Sequence, residues 1–348
     1  MKNYVDSSVI KTADSSYIVV PKKPWQLIVR HKIDRMGLKM HSVIDTDEEY
    51  MNWTPYVGTR AANSLGLWFG YRGYGLGYSV NLNKRSDTYF TIGAVGSSYG
   101  INLRLRTFGM TEFNGDIYLK TKNPDQELLN GNYDFEILEP IRVHSLIIDG
   151  YYMFNHKHFS YAAAYDQSVF QKRSAGSLMA GLMYNYTHID YASDLNGDII
   201  YMMDGLGRVK LWQGSVGVGY AYNWVPVRGL LVNVMAMPML TFVNKLKAYA
   251  YATNVEELME DPYFWDPDVS DEEWDKWFYD SLRIKPLGDQ TYNSGISIGF
   301  DARLSVTYNL GRYFINAYGQ FNNIRYHHNS THGYLNDWFI NASIGIRL

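Results

Sequence analysis

The sequence predicts an all-β protein: a single transmembrane, antiparallel up-and-down β-barrel of about 12 strands, or about 14 if the first hairpin also spans. Three observations carry this. Apolar residues recur with a period of two in segment after segment. Tyr and Trp gather near the ends of those segments. Short and long connections alternate along the chain. No stretch offers the roughly 20 apolar residues of a spanning helix. The best candidates, LWQGSVGVGYAYNWVP and GLLVNVMAMPMLTFV, are interrupted by Gly or Pro. A mean hydropathy of −0.28 is no objection, because barrel strands show only alternate residues to lipid.

Composition narrows the classes further. The 348 residues carry 32 Lys or Arg against 35 Asp or Glu, a net charge of −3, which leaves no basic footprint for nucleic acid. Cysteine is absent, which excludes disulfides, thiolate metal sites and a Cys nucleophile. The opening MKNYVDSSVIKTADSSY has no apolar run of signal-peptide length, as expected of a mature form with an added Met or of a protein that is not exported.

Taken in order, residues 1–24 read as a polar, peripheral segment and 25–348 as one barrel domain. Strands are expected at 25–33, 36–45, 64–71, 73–82 and 88–95. In the next, Tyr99, Ile101, Leu103 and Leu105 alternate with Gly100, Asn102, Arg104 and Arg106. Segments 141–154, 159–170 and 175–189 follow, then 214–224, where Val216, Val218, Tyr220, Tyr222 and Trp224 alternate with small or polar residues. After 229–243, the clearest case is 296–310. Ile296, Ile298, Phe300, Leu304, Val306 and Leu310 share one face, and Ser297, Asp301, Arg303, Ser305 and Asn309 share the other. Segment 313–326 precedes the closing strand, in which Trp338, Ile340, Ala342, Ile344, Ile346 and Leu348 should face lipid, and Asn341, Ser343 and Arg347 the lumen. On that assignment Ile344→Arg should cost roughly 1–3 kcal/mol, and Ser343→Arg little in a wet lumen. Many segments reach the roughly 9–11 residues a spanning strand needs. A soluble β-sandwich binding module is the alternative, but its strands are usually shorter and its polar face is not Gly- and Ser-rich.

The connections orient the chain. Those at 155–158, 171–174, 225–228 and 311–312 are short, and those at 190–213, 244–291 and 327–333 are long. Counted back from the C-terminus, the long ones share one side. Bacterial barrels keep short turns in the periplasm, so both termini are expected there. Segment 109–140 resists, being long yet falling with the short turns.

Several constellations invite a chemical reading. The acidic loop 244–291 holds twelve Asp or Glu against five Lys or Arg between Lys245 and Asp289, together with Trp265, Trp274, Trp277 and Phe278. Ser270 and Glu273 fit a capping box, and the helix it starts puts Trp274, Trp277 and Phe278 on one face. That face is either an outer docking surface or a lid packed by its own chain. His327, His328 and His332 lack the further ligands zinc needs, apart from Asp337, and His156 and His158 sit in a turn. Asp190, Asp194, Asn196 and Asp198 resemble a calcium loop without its bidentate Glu. A lipase-type hydrolase of the outer membrane needs a Ser–His pair, but His144 and Ser145 are adjacent on a strand and point to opposite faces. G-x-S-x-G is absent. Arg104, Arg106, Asp301 and Arg303, with Arg30 and Arg347, are the expected lumen charges, placed to tune ion selectivity or to pair and fill the barrel.

The runs ANSLGLWFGYRGYGLGYSVNL, YGINLRLRTFGMTEFNGDIYL and RVHSLIIDGYYMFNHKHFSYAAAYDQSVFQKRSAGSLMAGLMYNYT resemble one family of outer-membrane β-barrel proteins of Bacteroides-type Gram-negative bacteria, catalogued as a domain of unknown function. The resemblance extends from about Trp25 to the end and is most specific over 150–177. It implies a barrel in the outer membrane and carries no reaction, cofactor or catalytic residue. The expectation is a non-enzymatic barrel, either an accessory or scaffold component of an envelope complex or a narrow, loop-plugged channel. Its partners would be the lipid bilayer and other envelope proteins.

Overall fold

The computed structural model describes residues 13–82, 87–203, 205–328 and 331–348, without the side chains of residue 44 and of 326–331. Among the described residues twelve strands close into a ring: β1 Trp25–Asp45, β2 Ala62–Tyr71, β3 Tyr74–Asn81, β4 Thr88–Val95, β5 Tyr99–Met110, β6 Ile141–Met153, β7 Ala175–Asp190, β8 Leu206–Trp224, β9 Leu230–Thr253, β10 Ser297–Leu310, β11 Tyr313–His328 and β12 Thr331–Arg347. Each pairs antiparallel with the next. The last pairs with the first from Gln26↔Arg347 to His41↔His332.

The chain turns tightly at one end of the ring and elaborates the other. Strands β2 and β3 are joined by Arg72 and Gly73, both at positive φ (48° and 87°), the two-residue turn whose twist matches that of a hairpin. Gly311 and Arg312 join β10 to β11 at the same end, where the first and last strands also meet through Trp25 N–H on Leu348 O.

The expected count of twelve agrees with the ring, but the set of strands differs in two places that offset each other. Residues 25–33 and 36–45 are not a hairpin but one strand of 21 residues. Residues 159–170 are not a spanning strand. They belong to a connection, 154–174, that folds into the barrel and contains a buried helix, Tyr161–Tyr165. The Ala162–Ala164 run favours helix, and Ser160 caps it by accepting from Ala163 N–H at 3.1 Å. Removing that strand shifts the parity, so 109–140 falls with the long connections after all. It forms strands Glu112–Lys122 and Asp125–Phe135, which continue the sheet beyond β5. Glu112–Lys122 pairs with Glu49–Gly58, the return of the long β1, so the sheet bypasses the eight-residue strands β3 and β4. The N-terminal segment is less peripheral than expected. Ile18–Val19 pairs with Phe170–Gln171 and closes the inner connection from below.

Region 244–291 is likewise not a bare loop. Strand β9 runs on to Thr253, and Ile284–Asn293 pairs back along it. Between them sits a small helical lobe, Val255–Glu260 and Asp271–Ser281, the second helix carrying the complete Ser270–Glu273 capping box. Val255, Leu258, Phe278 and Leu282 form its buried core, flanked by Phe264, Trp274 and Trp277. Trp274 stacks on Phe278 at 4.9 Å. Trp265 stays 67% exposed. The Asp194–Asp198 tip, far from forming an ion loop, holds this lobe. Asp194 accepts from Ile284 N–H at 2.9 Å, and Asp198 from Tyr279 Oη at 3.2 Å. Burial raises the Asp198 carboxyl above its usual range.

The lobe core contains no barrel residue, so the two should separate energetically. Replacing Trp274 and Trp277 together by Ala should open the lobe to protease while the barrel keeps its heat-dependent gel mobility. Loss of the folded barrel would show that the lobe supports it.

Candidate functional site

The lumen is layered. Toward the tight-turn end, the inner connection and a methionine-rich wall (Met153, Met179, Met235, Met237, Met239) form one apolar cluster with Phe159, Tyr161 and Ala162–Ala164. At the elaborated end, Met36, Phe108, Met110, Phe113 and Ile141 form a second, which takes in Ile199 of the short helix Gly197–Met202. Polar and charged side chains fill the space between.

The inner connection is tied to the wall by hydrogen bonds from several strands. Asn223 Nδ2 donates to Ser160 O (2.9 Å), Ser305 Oγ to Ala164 O (2.6 Å), Arg347 Nη2 to Gln167 O (2.8 Å) and Gln26 Nε2 to Asp166 O (3.2 Å). Tyr165 donates to Asn233 Oδ1. The helix is only five residues long, so wall side chains stand in for the missing backbone partners at its end.

Above it lies the charge network. Arg303 contacts Asp301 (3.1 Å), Asp149 (3.5 Å), Tyr161 Oη (2.5 Å) and Tyr151. Arg104 donates to Asp149 at 2.6 Å, and Arg106 to Asp337 at 2.7 Å and to Asp34 at 3.3 Å. Lys32 lies 3.4 Å from Asp34. The four charges read from the sequence, Arg104, Arg106, Asp301 and Arg303, all stand in the interior, in two neighbouring ion-paired groups. Their counter-ions Asp34, Asp149 and Asp337, and Lys32, escaped that reading. A signal was present for one of them: Asp149 interrupts the apolar run LIIDGYYM, whereas Lys32 and Asp34 sit in the charged run RHKIDR.

A cavity of about 120 Å³ remains beside the network. Arg30, Lys32, Arg104, Arg106 and Arg303 reach it, against the carboxylates Asp149 and Asp166. One wall is the indole of Trp68, which lies over glycines. A Cβ added at Gly93 would come within 2.7 Å of it, and one at Gly77 within 2.9 Å. The glycine-rich GYGLGY run thus makes room for an inward tryptophan. Ser343, expected in a wet lumen, is 7% exposed and faces Arg30 across the β1–β12 pairing. A second arginine there would crowd a cation, so Ser343→Arg is not the cheap substitution expected from the sequence.

Elsewhere the constellations do not assemble. Ser145 is buried while His144 is exposed and contacts Thr107. His332 packs beside His41 with the rings tilted, and the side chains of His327 and His328 lie outside the described residues. Among the described residues no group of three His, Asp or Glu is placed to hold a metal ion.

Breaking a buried pair by removing one partner costs about 3–5 kcal/mol, because a charge is stranded. Arg303→Met should therefore lower barrel stability by about that amount in urea titrations in detergent, and adding Asp301→Asn should recover part of the loss. Equal stability of wild type and Arg303→Met would show that the network is dispensable.

No match was found among curated proteins. Among solved structures, the β domain of the Bordetella autotransporter BrkA is 11% identical with a TM-score of 0.34, covering 93% of this chain and 100% of that one. The outer membrane protease OmpT of Escherichia coli is 7% identical with a TM-score of 0.36, covering 93% and 97%. An outer membrane channel of Pseudomonas putida F1 is 10% identical with a TM-score of 0.30, covering 96% and 98%. Scores this low transfer no role. The family profile described as "Domain of unknown function (DUF4421)" matches residues 12–347, nearly the whole chain, and the protein belongs to that family.

Proposed function

We propose that the chain spans the bacterial outer membrane as a plugged barrel and serves there as an accessory or scaffold protein, with its tight turns and termini in the periplasm and its lobes outside. The observation that carries this is an inverted distribution of polarity on a closed ring. Outward positions are apolar: Leu67 is 59% exposed, Leu182 64% and Ile344 66%. Inward positions on the same strands are polar and buried: Ser64, Asn185 and Ser343. Trp25, Tyr152, Trp224 and Tyr313 are exposed near the tight-turn rim, where interfacial aromatics belong. Every ring strand has two neighbours, which lipid requires of backbone polar groups. The scaffold role is favoured because apolar clusters lie toward both ends of the lumen. It is also favoured by the ribbon Asp125–Phe135, which is exposed along its length and paired along one edge among the described residues. Such an edge suits a protein partner.

A narrow channel is the second reading, favoured by the charged cavity at mid-lumen. It needs the inner connection to move.

Two measurements test this. On β10, Leu304 and Leu310 share the outward face, but Leu310 lies at the turn. Leu304→Arg should cost roughly 2–4 kcal/mol in lipid vesicles and Leu310→Arg roughly 0–1 kcal/mol, the depth dependence of a bilayer. Equal costs would remove the membrane reading. In planar bilayers the wild type should pass no steady current. A large steady conductance would overturn the plugged barrel. Current appearing only when 161–166 is replaced by a Gly–Ser segment of equal length would favour the gated channel over the scaffold.

A further inference from the structure

We propose that the mid-lumen cavity is a binding site for a small phosphate-class oxyanion, held between Arg30 and Lys32. The inference goes beyond the membrane role and does not depend on it.

Most inward cations of this barrel have a carboxylate partner; Arg30 and Arg347 do not, and Arg347 instead donates to Gln167 O and Asn309 Oδ1. Arg104, Arg106 and Arg303 each have a carboxylate within 3.3 Å, and Lys32 has Asp34 at 3.4 Å. The Arg30 guanidinium has neither an ion pair nor a hydrogen bond among the described residues, and the opposite charge acting on it is Asp166, which borders the same cavity. Its guanidinium lies over the Trp68 ring, 4.6 Å from the centroid, and borders the cavity. A stacked guanidinium still presents its N–H fork edgewise, which suits bidentate capture of an oxyanion.

The surroundings complete a donor set. Arg30 and Lys32 are two apart on β1, so both point inward. Directly across the β1–β12 pairing stand Ser343, opposite Arg30, and Asn341, opposite Lys32, and all four line the cavity. An amide, an ammonium and a guanidinium therefore converge from adjacent strands, beside the Ser343 hydroxyl, which donates to Asn316 O at 3.4 Å. The volume of about 120 Å³ suits a few waters or one small ion, not a lipid headgroup with its chains.

The carboxylates select among anions. Asp149 is taken up by Arg104, Arg303 and Asn102. Asp166 also borders the cavity. Hydrogen phosphate keeps a proton it can donate to a carboxylate, and sulfate does not. Phosphate should therefore bind more tightly than sulfate, and both more tightly than chloride.

The test is to refold the barrel from urea into detergent at constant ionic strength, in chloride, sulfate or inorganic phosphate, so that the ion is present before the lumen closes. A ligand that binds only the folded state raises the unfolding temperature as its concentration passes Kd. Millimolar phosphate should produce a saturable rise, larger than sulfate, and Arg30→Gln should weaken phosphate at least tenfold. Arg312→Gln, at the exposed turn, should leave it unchanged. If Arg30→Gln does not fold, Arg30→Lys, which keeps the charge but loses the fork, and Asn341→Ala, which loses the amide donor, take its place, and each should weaken phosphate severalfold. No phosphate-specific rise in the wild type, or wild-type affinity in the Arg30 variants, would overturn the site.

Discussion

The rest of this structure depends on the pairing of the first strand with the last. A strand edge facing lipid leaves N–H and C=O groups with nothing to bond, at several kcal/mol for each group. Running from Gln26↔Arg347 to His41↔His332, β1 and β12 abolish that edge and fix which residues face out. Once the ring is shut, a period of two in the sequence becomes an inside and an outside. Because the solvent is oil, the usual assignment reverses: Ile340 and Ile344 are exposed, and Arg347 is buried between the rings of Phe170 and Phe314.

Turning polar residues inward creates a second problem, which the chain solves with its own segments. A ring of twelve strands leaves space that short wall side chains cannot fill, although long ones reach across it, as Arg303 on β10 does to Asp149 on β6. The connection 154–174 enters the gap, and the residues that hold it (Gln26, Asn223, Asn233, Ser305, Arg347) come from five different strands. Each is an inward position of an alternating strand. Polarity that would look wasteful on a β-sandwich is here the set of hydrogen-bond partners for a plug.

The period-two signal was legible because a strand wall imposes it residue by residue, and it located most of the ring, including the facing of 296–310 and 338–348. It failed where local chemistry mimicked it. Phe159, Tyr161, Ala163 and Tyr165 alternate as a strand would, yet Ser160 and the alanine run were the better guide, and they spell a capped helix. A helix of five residues gains nothing from propensity alone and exists because the lumen buries it. Residues 25–33 and 36–45 read as two strands because the charged pair Asp34 and Arg35 looks like a break, although Arg35 reaches Glu112 at 2.6 Å on the sheet extension. The pairing of Glu49–Gly58 with Glu112–Lys122 joins segments far apart in sequence, and no local pattern announces it. The interior network was half visible. Its arginines stood out on alternating strands, but ring geometry decided which aspartates met them.

The plug's anchorage also bears on whether such a barrel can open. Four of its wall contacts are neutral hydrogen bonds and one comes from the Arg347 guanidinium. At about 0.5–1.5 kcal/mol for a neutral bond and about 1.5–3 for a charged donor, they contribute roughly 4–9 kcal/mol against displacement into water. Wetting the buried Phe159 and Tyr161 adds about 1.5–3 kcal/mol for each large side chain. Each 1.4 kcal/mol is a factor of ten in population, so spontaneous opening would be rarer than about one molecule in a thousand. On the plugged-barrel reading, that anchorage argues against steady leakage. Opening would need a ligand or partner that binds the displaced state more tightly by a comparable energy. A barrel built this way is closed by default, and any transport through it would have to be driven from outside the lumen.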